Sequence, residues 1–151
     1  MIYREEQRDL FTVGNNYYLA HCISADFKLG AGIAVEFDRR FNCKAQLKEL
    51  YKPTNRYGDG VKIFTSEPGY VLPTGRVFNM VTKNCYWEKP TYATMRMALE
   101  DLHRWCKLDG VDKLAMPRIG CGLDRLEWEK VRRMVQYIFA DTDVEILVCY
   151  Q

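Results

Sequence analysis

The apolar residues of this chain recur with the period of an α-helix in three stretches. In residues 91–108 they lie three or four positions apart and therefore share one face, with Pro90 just before the stretch and Gly110 just after it. Residues 33–41 and 127–139 show the same spacing. The pattern predicts three amphipathic helices whose apolar faces pack against another layer; the residues that define them are Ile33, Ala34, Phe37, Phe41, Tyr92, Met95, Leu99, Leu102, Cys106, Trp128, Val131, Val135 and Ile138.

Short apolar runs between these stretches predict β-strands. Residues 17–22 form a continuous run rather than an alternation, which is typical of an interior strand covered on both faces. Further strands are predicted at 61–65, 76–82, 113–116 and 144–150. The first of these lies within a segment, 52–75, that proline and glycine interrupt. The alternation of strands and helices favours an α/β fold in which a mixed β-sheet is sandwiched between helices.

The bulk composition indicates an ordinary globular protein. The chain has 151 residues, which fit a single domain spanning 1–151, and neither a repeat nor a low-complexity linker divides it. A net charge of +2 is too small to require a nucleic-acid partner. No apolar run approaches the roughly 18 residues that a membrane span requires, so we expect no membrane association. We also expect a monomer.

The six cysteines show no CxxC pair, and the N-terminus lacks the order of a secretion signal. We therefore expect reduced thiols and a cytoplasmic location. His103 and Cys106 lie one helical turn apart, but no second pair at ligand spacing completes a tetrahedral zinc site. The sequence thus predicts neither a metal nor another cofactor.

Two glycine-framed loops are the candidates for ligand binding. Gly30-Ala31-Gly32 and Gly120-Cys121-Gly122 each follow a predicted strand and precede a predicted helix. In an open α/β sheet both loops lie at the carboxyl ends of strands, where their backbone amides and a helix N-terminus suit a diphosphate. Neither is a Walker loop or a GxGxxG fingerprint. The alternative is that the glycines only permit turns.

Two charged residues accompany these loops, and each also has a structural explanation. Asp124 stands three residues before Glu127, a spacing that predicts a cap for the helix beginning near Trp128. Lys83 follows the strand 76–82 and taken alone is a solvated cation. The pair becomes a candidate for chemistry only if the fold brings the two side chains together.

Five ordered blocks carry a resemblance to a known family, and they span nearly the whole chain. The chain resembles the macrodomain family, most closely its terminal ADP-ribose protein glycohydrolase branch. Two departures are that Arg8 stands where the family usually has glycine, and that 52–75 is not recognisable. The matching blocks are Arg8-Asp9-Leu10-Phe11, Ala20-His21-Cys22-Ile23-Ser24, Gly30-Ala31-Gly32-Ile33-Ala34, Thr82-Lys83 with Lys89-Pro90-Thr91-Tyr92, and Met116-Pro117-Arg118-Ile119-Gly120-Cys121-Gly122-Leu123-Asp124-Arg125-Leu126.

The resemblance implies a macrodomain fold with ADP-ribose in a cleft between the two glycine loops. Asp9 is similar to the family's adenine-binding aspartate, with Leu10 beside the ring, and the two loops correspond to those that hold the diphosphate and the distal ribose. Lys83 and Asp124 fall on the family's catalytic lysine and aspartate. The substrate-binding residues that the resemblance implies are Asp9, Leu10, His21, Ser24, Gly30, Ala31, Gly32, Ile33, Arg118, Ile119, Gly120, Cys121, Gly122 and Leu123.

The activity that the resemblance implies is an ADP-ribosyl hydrolase acting on ADP-ribosylated protein, with a glutamate or aspartate ester as the first linkage considered. Lys83 would form a transient adduct with the anomeric carbon of the distal ribose, and Asp124 would move protons. Nucleic-acid-linked ADP-ribose is another possible target. Two alternatives stay open: a non-catalytic ADP-ribose reader, and a hydrolase of ADP-ribose 1''-phosphate or O-acetyl-ADP-ribose.

Overall fold

A computed structural model describes residues 1–51 and 67–151. Its strands are β1 (Ile2–Gln7), β2 (Tyr18–Ser24), β3 (Tyr70–Thr74), β4 (Val77–Lys83), β5 (Lys113–Met116) and β6 (Glu145–Tyr150). Its helices are α1 (Ile33–Phe41), α2 (Cys43–Leu50), α3 (Tyr92–Leu108) and α4 (Trp128–Ile138), with a 3₁₀ turn at Leu10–Thr12.

The strands form one mixed sheet in the order β1-β6-β5-β2-β4-β3, in which only β3 is antiparallel to its neighbour. Successive side chains of a strand point to opposite faces, so β5 sends Leu114 to the layer of α3 and α4 and Ala115 to the layer of α1 and α2. Both residues are fully buried. The predicted mixed sheet sandwiched between helices is confirmed.

Most of the predicted elements lie within two residues of their observed bounds, and three elements were not predicted. The predicted helices and the strands 17–22, 76–82, 113–116 and 144–150 correspond to α1, α3, α4, β2, β4, β5 and β6. The spacing of apolar residues did not predict β1, α2 or β3. The predicted strand 61–65 lies outside the described residues.

Two of the missed elements, β1 and α2, have weak local patterns. β1 is an edge strand whose sequence, Ile-Tyr-Arg-Glu-Glu-Gln, is mostly polar, and its residues are exposed or half-buried. It exists because it pairs in parallel with β6, whose Ile146, Leu147 and Val148 are buried. α2 buries only Cys43 and Leu47, too short a pattern to stand out from a loop. Pairing and packing partners elsewhere in the chain therefore decide these segments.

Candidate functional site

The cleft lies at the edge of the sheet where the parallel strands end. β2 ends at Ser24, β4 at Lys83, β5 at Met116 and β6 at Tyr150, and these parallel strands share one direction. The connections that follow them line three adjoining cavities of about 960, 420 and 390 Å³. Neighbouring cavities share lining residues, including Arg118 between the first two, so they form a continuous cleft.

The largest cavity is lined by the residue types that suit a planar base. Asp9 accepts a hydrogen bond on Oδ1 from the Phe11 amide at 3.0 Å, which caps the 3₁₀ turn and fixes the carboxylate at the cavity wall. Leu10 and Phe11 supply apolar surface beside it. The same cavity is lined by Arg118 and Tyr150. The Arg118 guanidinium lies 4.0 Å from the ring centroid of Tyr150, within range of a cation–π interaction.

Glu5 holds Arg118 in this position from β1. Its carboxylate lies 3.6 Å from Arg118 and 2.6 Å from Arg132, and its side chain is 17% exposed. Burial acts to raise the pKa of Glu5, but hydrogen bonds from Tyr3, Arg132 and Trp128 outweigh it, so the pKa lies below its usual value. The missed strand β1 therefore contributes a positioning carboxylate to the site.

The first glycine loop delivers the N-terminus of α1 to the cleft. Gly32 is the N-cap of α1 with φ 62° and ψ −149°, a conformation that disfavours a side chain, and no side chain caps the helix. The Val35 amide donates to the Gly32 carbonyl at 3.2 Å. This leaves the amides of Ile33 and Ala34 available to an anion. A Cβ on Gly32 would lie 3.5 Å from Leu123 of the second loop, which shows how closely the two loops approach.

The connection between β2 and Gly32 adopts an unusual backbone conformation. Phe27 and Leu29 have φ values of 55° and 46°, in the left-handed region that non-glycine residues rarely occupy. Both side chains are buried, and Asp26 accepts hydrogen bonds from Ser24 Oγ at 2.5 Å and the Lys28 amide at 3.1 Å. Core packing and this carboxylate thus hold a strained loop against the cleft.

The second glycine loop is tightly packed at Gly120. Its φ is 75°, and a Cβ there would lie 2.6 Å from Met95 Cε and 3.0 Å from Leu126 Cδ1. Only glycine fits both the backbone and the space. The Cys121 amide donates to the Arg118 carbonyl at 3.2 Å, so this backbone amide is already engaged within the loop.

Lys83 and Asp124 meet beside the 420 Å³ cavity, which adjoins both of the others; Asp124 lines this cavity, whereas Lys83 lines none of the three. The Lys83 ammonium donates to Asp124 Oδ1 at 2.7 Å, and the two side chains are 14% and 15% exposed. The Cys22 thiol lies nearby: its burial and the Asp124 carboxylate raise its pKa to about 12, so the thiol stays protonated. The structure therefore brings together the two residues whose pairing the sequence left open.

The predicted helix cap by Asp124 is wrong. The N-cap of α4 is Glu127, and it makes no capping hydrogen bond with its side chain. The Asp124 carboxylate is instead engaged by Lys83. Tyr92 of α3 fixes the start of α4 by accepting a hydrogen bond from the Glu127 amide at 3.0 Å. A hydrogen-bond partner 35 residues away thus replaces the local cap.

His21 lies beneath the cleft rather than in its wall. It is fully buried, stacks on Phe37 of α1 with ring centroids 3.8 Å apart, and lines none of the three cavities. Because Asn79 Nδ2 donates to two oxygens of β3, Asn79 Oδ1 is free to accept from His21 Nε2 at 2.7 Å. Burial lowers the pKa of His21 to about 4. The ring is therefore neutral and supports α1 from below.

Several residues that line the cleft were not assigned to it from the sequence, and four of them have large or reactive side chains. Phe11 and Tyr150 border the largest cavity, Cys22 borders the two smaller ones, and Tyr86 borders the smallest. Tyr150 had a usable signal, because the end of a predicted parallel strand lies at the binding edge. Tyr86 had none, since its position depends on a hydrogen bond of its amide to Asp26 at 2.9 Å.

The part of the chain that the structure describes provides no site for a metal. Among residues 1–51 and 67–151, no group of three or more His, Cys, Asp or Glu side chains could hold an ion. His103 pairs with Asp141 at 3.1 Å, and Cys106 is buried. No disulfide joins any of the six cysteines, all of which lie within the described residues. Within the same ranges, no helix is long and apolar enough to cross a membrane.

Comparison with known proteins identifies relatives of the whole chain. The sequence pattern of the Macro domain family matches residues 20–135. Human ADP-ribose glycohydrolase OARD1 is 39% identical over 140 residues, which cover 93% of this chain and 86% of that protein. The DNA ADP-ribosyl glycohydrolase of Mycobacterium tuberculosis is 27% identical over 124 residues, 80% of this chain and 34% of that protein.

Solved structures show the same fold. The macrodomain of Mycobacterium tuberculosis DarG superimposes with a TM-score of 0.76 at 21% identity, covering 98% of this chain and 97% of that one. Thermosipho africanus DarTG in complex with ADP-ribose gives a TM-score of 0.69 at 16% identity, covering 91% of this chain and 39% of that one.

Proposed function

The chain belongs to the macrodomain family, and we propose that it is an ADP-ribose glycohydrolase that releases ADP-ribose from glutamate or aspartate side chains. The observation that carries this proposal is the Lys83–Asp124 pair, 2.7 Å apart and mostly buried, beside the 420 Å³ cavity that Asp124 lines. A module that only binds ADP-ribose needs no such pair. The similarity to proteins named ADP-ribose glycohydrolase supports the same activity.

The cleft accommodates ADP-ribose in one direction. Adenine occupies the largest cavity, where Asp9 accepts from its amino group and the Arg118–Tyr150 pair lies beside it. The diphosphate lies between the N-terminus of α1 and the loop around Gly120, which both present backbone amides. The distal ribose then reaches the cavity that Asp124 lines, next to Lys83.

The chemistry of this pair is a double displacement at the anomeric carbon. Lys83 passes a proton to Asp124, and its amine attacks that carbon while the bond to the ester oxygen breaks, so the acidic side chain leaves as a carboxylate. Asp124 releases that proton to solvent and then accepts one from water, whose oxygen adds to the same carbon as the bond to Lys83 breaks. Lys83 leaves as a neutral amine and takes the proton back from Asp124. The products are free ADP-ribose, the restored side chain and the original ion pair.

A second candidate substrate is ADP-ribose attached to a nucleobase. The similarity to the DNA ADP-ribosyl glycohydrolase of Mycobacterium tuberculosis favours it. The same lysine and aspartate would serve, because the bond that breaks is again at the anomeric carbon of the distal ribose. The two substrates differ only in the group that leaves through the mouth of the cleft.

Product analysis tests the proposal directly. We expect the purified protein to release intact ADP-ribose from glutamate-linked ADP-ribosyl peptide, detected by mass spectrometry, with multiple turnovers. Nucleobase-linked ADP-ribose, ADP-ribose 1''-phosphate and O-acetyl-ADP-ribose are run in parallel at equal concentration. If the protein bound ADP-ribose tightly but released it from none of the four substrates, it would be a reader module and the proposal would be wrong.

A further inference from the structure

The loop between Lys83 and α3 presents two large aromatic side chains to solvent at the mouth of the cleft. Tyr86 and Trp87 are 55% and 68% exposed, and their rings pack edge to face with centroids 5.2 Å apart. Tyr86 also forms part of the wall of the smallest cavity. Adjacent exposed aromatic residues of this size commonly mark a binding surface.

Hydrogen bonds tie this loop to both of the other loops of the site. The Tyr86 amide donates to Asp26 Oδ2 at 2.9 Å, which joins it to the loop after β2. The Lys89 ammonium donates to the Leu123 carbonyl at 2.7 Å, one residue before Asp124. The exposure of the two rings is therefore built into the loop and not a result of an untethered backbone.

Two ammonium groups belong to this region, and within residues 1–51 and 67–151 neither has a carboxylate partner. Lys28 Nζ lies 5.6 Å from the Tyr86 ring centroid, and the Lys89 ammonium donates to the Leu123 carbonyl. Among the ion pairs of residues 1–51 and 67–151, none involves Lys28 or Lys89. Asp26 accepts three hydrogen bonds, and Glu88 accepts one from the Cys85 amide at 2.7 Å, all from neutral donors. Within the same ranges neither carboxylate pairs with an ammonium group, so both ammonium groups are available to the carboxylates of a ligand.

We propose that Lys28, Tyr86, Trp87 and Lys89 form a docking collar for an acidic polypeptide segment that carries the ADP-ribosyl group. This inference rests on the proposed function, because that function places the distal ribose beside Lys83, in the cavity that adjoins the one Tyr86 lines. Residues flanking the modified glutamate then contact the two rings, and their carboxylates approach the two ammonium groups.

A polypeptide fits the collar better than a nucleic acid does. Binding of single strands relies on a basic groove that follows many phosphates, and strong salt dependence accompanies it. Here two ammonium groups belong to the region of one aromatic pair, and the whole chain has a net charge of only +2. Acidic flanking residues match that limited charge, and the aromatic pair suits apolar side-chain and backbone surface.

The test compares two glutamate-linked ADP-ribosyl peptides, one with aspartate and glutamate flanks and one with serine and glycine flanks. We expect wild type to favour the acidic peptide in kcat/KM. Trp87→Ala should lower kcat/KM on that peptide about tenfold, while its affinity for free ADP-ribose stays unchanged. Lys28→Glu should abolish or reverse the preference for acidic flanks. Tyr137→Ala, which truncates an 85% exposed tyrosine on α4, is the matched control and should change neither quantity.

The outcomes separate the collar from the hydrolase activity. The same peptides with a non-hydrolysable linkage report binding even if no turnover occurs, so an inactive protein would contradict the proposed function and leave the collar measurable. Equal binding of both peptides by wild type, or an unchanged preference in Trp87→Ala and Lys28→Glu, overturns the collar. A larger loss for Trp87→Ala on oligonucleotide-linked ADP-ribose than on the acidic peptide would assign the surface to nucleic acid instead.

Discussion

Substitution of Gly120 by alanine tests the packing that shapes the second glycine loop. Gly120 has φ 75°, and a Cβ would lie 2.6 Å from Met95 Cε and 3.0 Å from Leu126 Cδ1. Gly110, just after α3, is the matched control: it has φ 62°, and a Cβ there would have no heavy atom within 4 Å. Both alanines must adopt a left-handed conformation, but only the one at position 120 also overpacks the core.

The expected magnitudes follow from that difference. A left-handed alanine costs about 1–2 kcal/mol of the free energy of unfolding, so Gly110→Ala should lose that much. Gly120→Ala should lose the same plus about 1–3 kcal/mol for overpacking, because Met95 and Leu126 must move. Gly120→Ala should also weaken ADP-ribose binding by about tenfold or more, since the loop and its amides shift.

Urea denaturation and titration calorimetry measure these two effects. Each midpoint is converted to a free energy with the slope of the transition, which should be equal in the two variants. Equal destabilisation by both substitutions, or unchanged ADP-ribose affinity in Gly120→Ala, would refute the account of this loop.

Three further predictions concern charged groups. Lys83→Met and Asp124→Asn should each lower the free energy of unfolding, measured in urea, by about 2 kcal/mol, because each change leaves one mostly buried charge unpaired. The double variant should lose less than the sum of the two. Additive losses would contradict the pairing. Burial lowers the pKa of His21 to about 4, below the value of about 6.5 expected in the unfolded chain. As the pH falls, the unfolded state therefore binds the proton first. The free energy of unfolding should decrease between about pH 6.5 and pH 4, by up to about 1.4 kcal/mol per pH unit. His21→Gln should remove that component of the slope, and an identical slope in both proteins would exclude it. Glu5→Gln should weaken ADP-ribose binding several-fold by releasing Arg118, whereas unchanged affinity in calorimetry would mean that Arg118 needs no such support.

The sequence predicted the parts of the fold whose signal is local. The helix at 91–108 has five apolar positions on one face and a proline and a glycine at its ends, and α3 occupies 92–108. The strands before Ser24, Lys83 and Pro117 were predictable because they are short apolar runs beside turns. β1 was not, since its polar residues form a strand only through pairing with β6 at the other end of the chain.

The same distinction applies to the site. The glycine loops were recognisable because their strand–loop–helix context is local. The Lys83–Asp124 contact joins residues 41 positions apart, so the residues alone left Asp124 as a helix cap and Lys83 as a solvated cation. Only the family resemblance connected them. The burial of His21 depends on its stacking with Phe37, and the exposure of Trp87 on a loop held at Asp26 and Leu123; neither arrangement has a signature along the sequence.

The most direct test of the central claim is the turnover of glutamate-linked ADP-ribosyl protein by wild type and by Lys83→Ala. Lys130→Ala, which truncates an exposed lysine of α4, is the control and should retain the wild-type rate. We predict that Lys83→Ala still binds ADP-ribose but hydrolyses the glutamate-linked substrate at least about a hundredfold more slowly, because the nucleophile is absent. Wild-type turnover by Lys83→Ala would contradict the assigned chemistry.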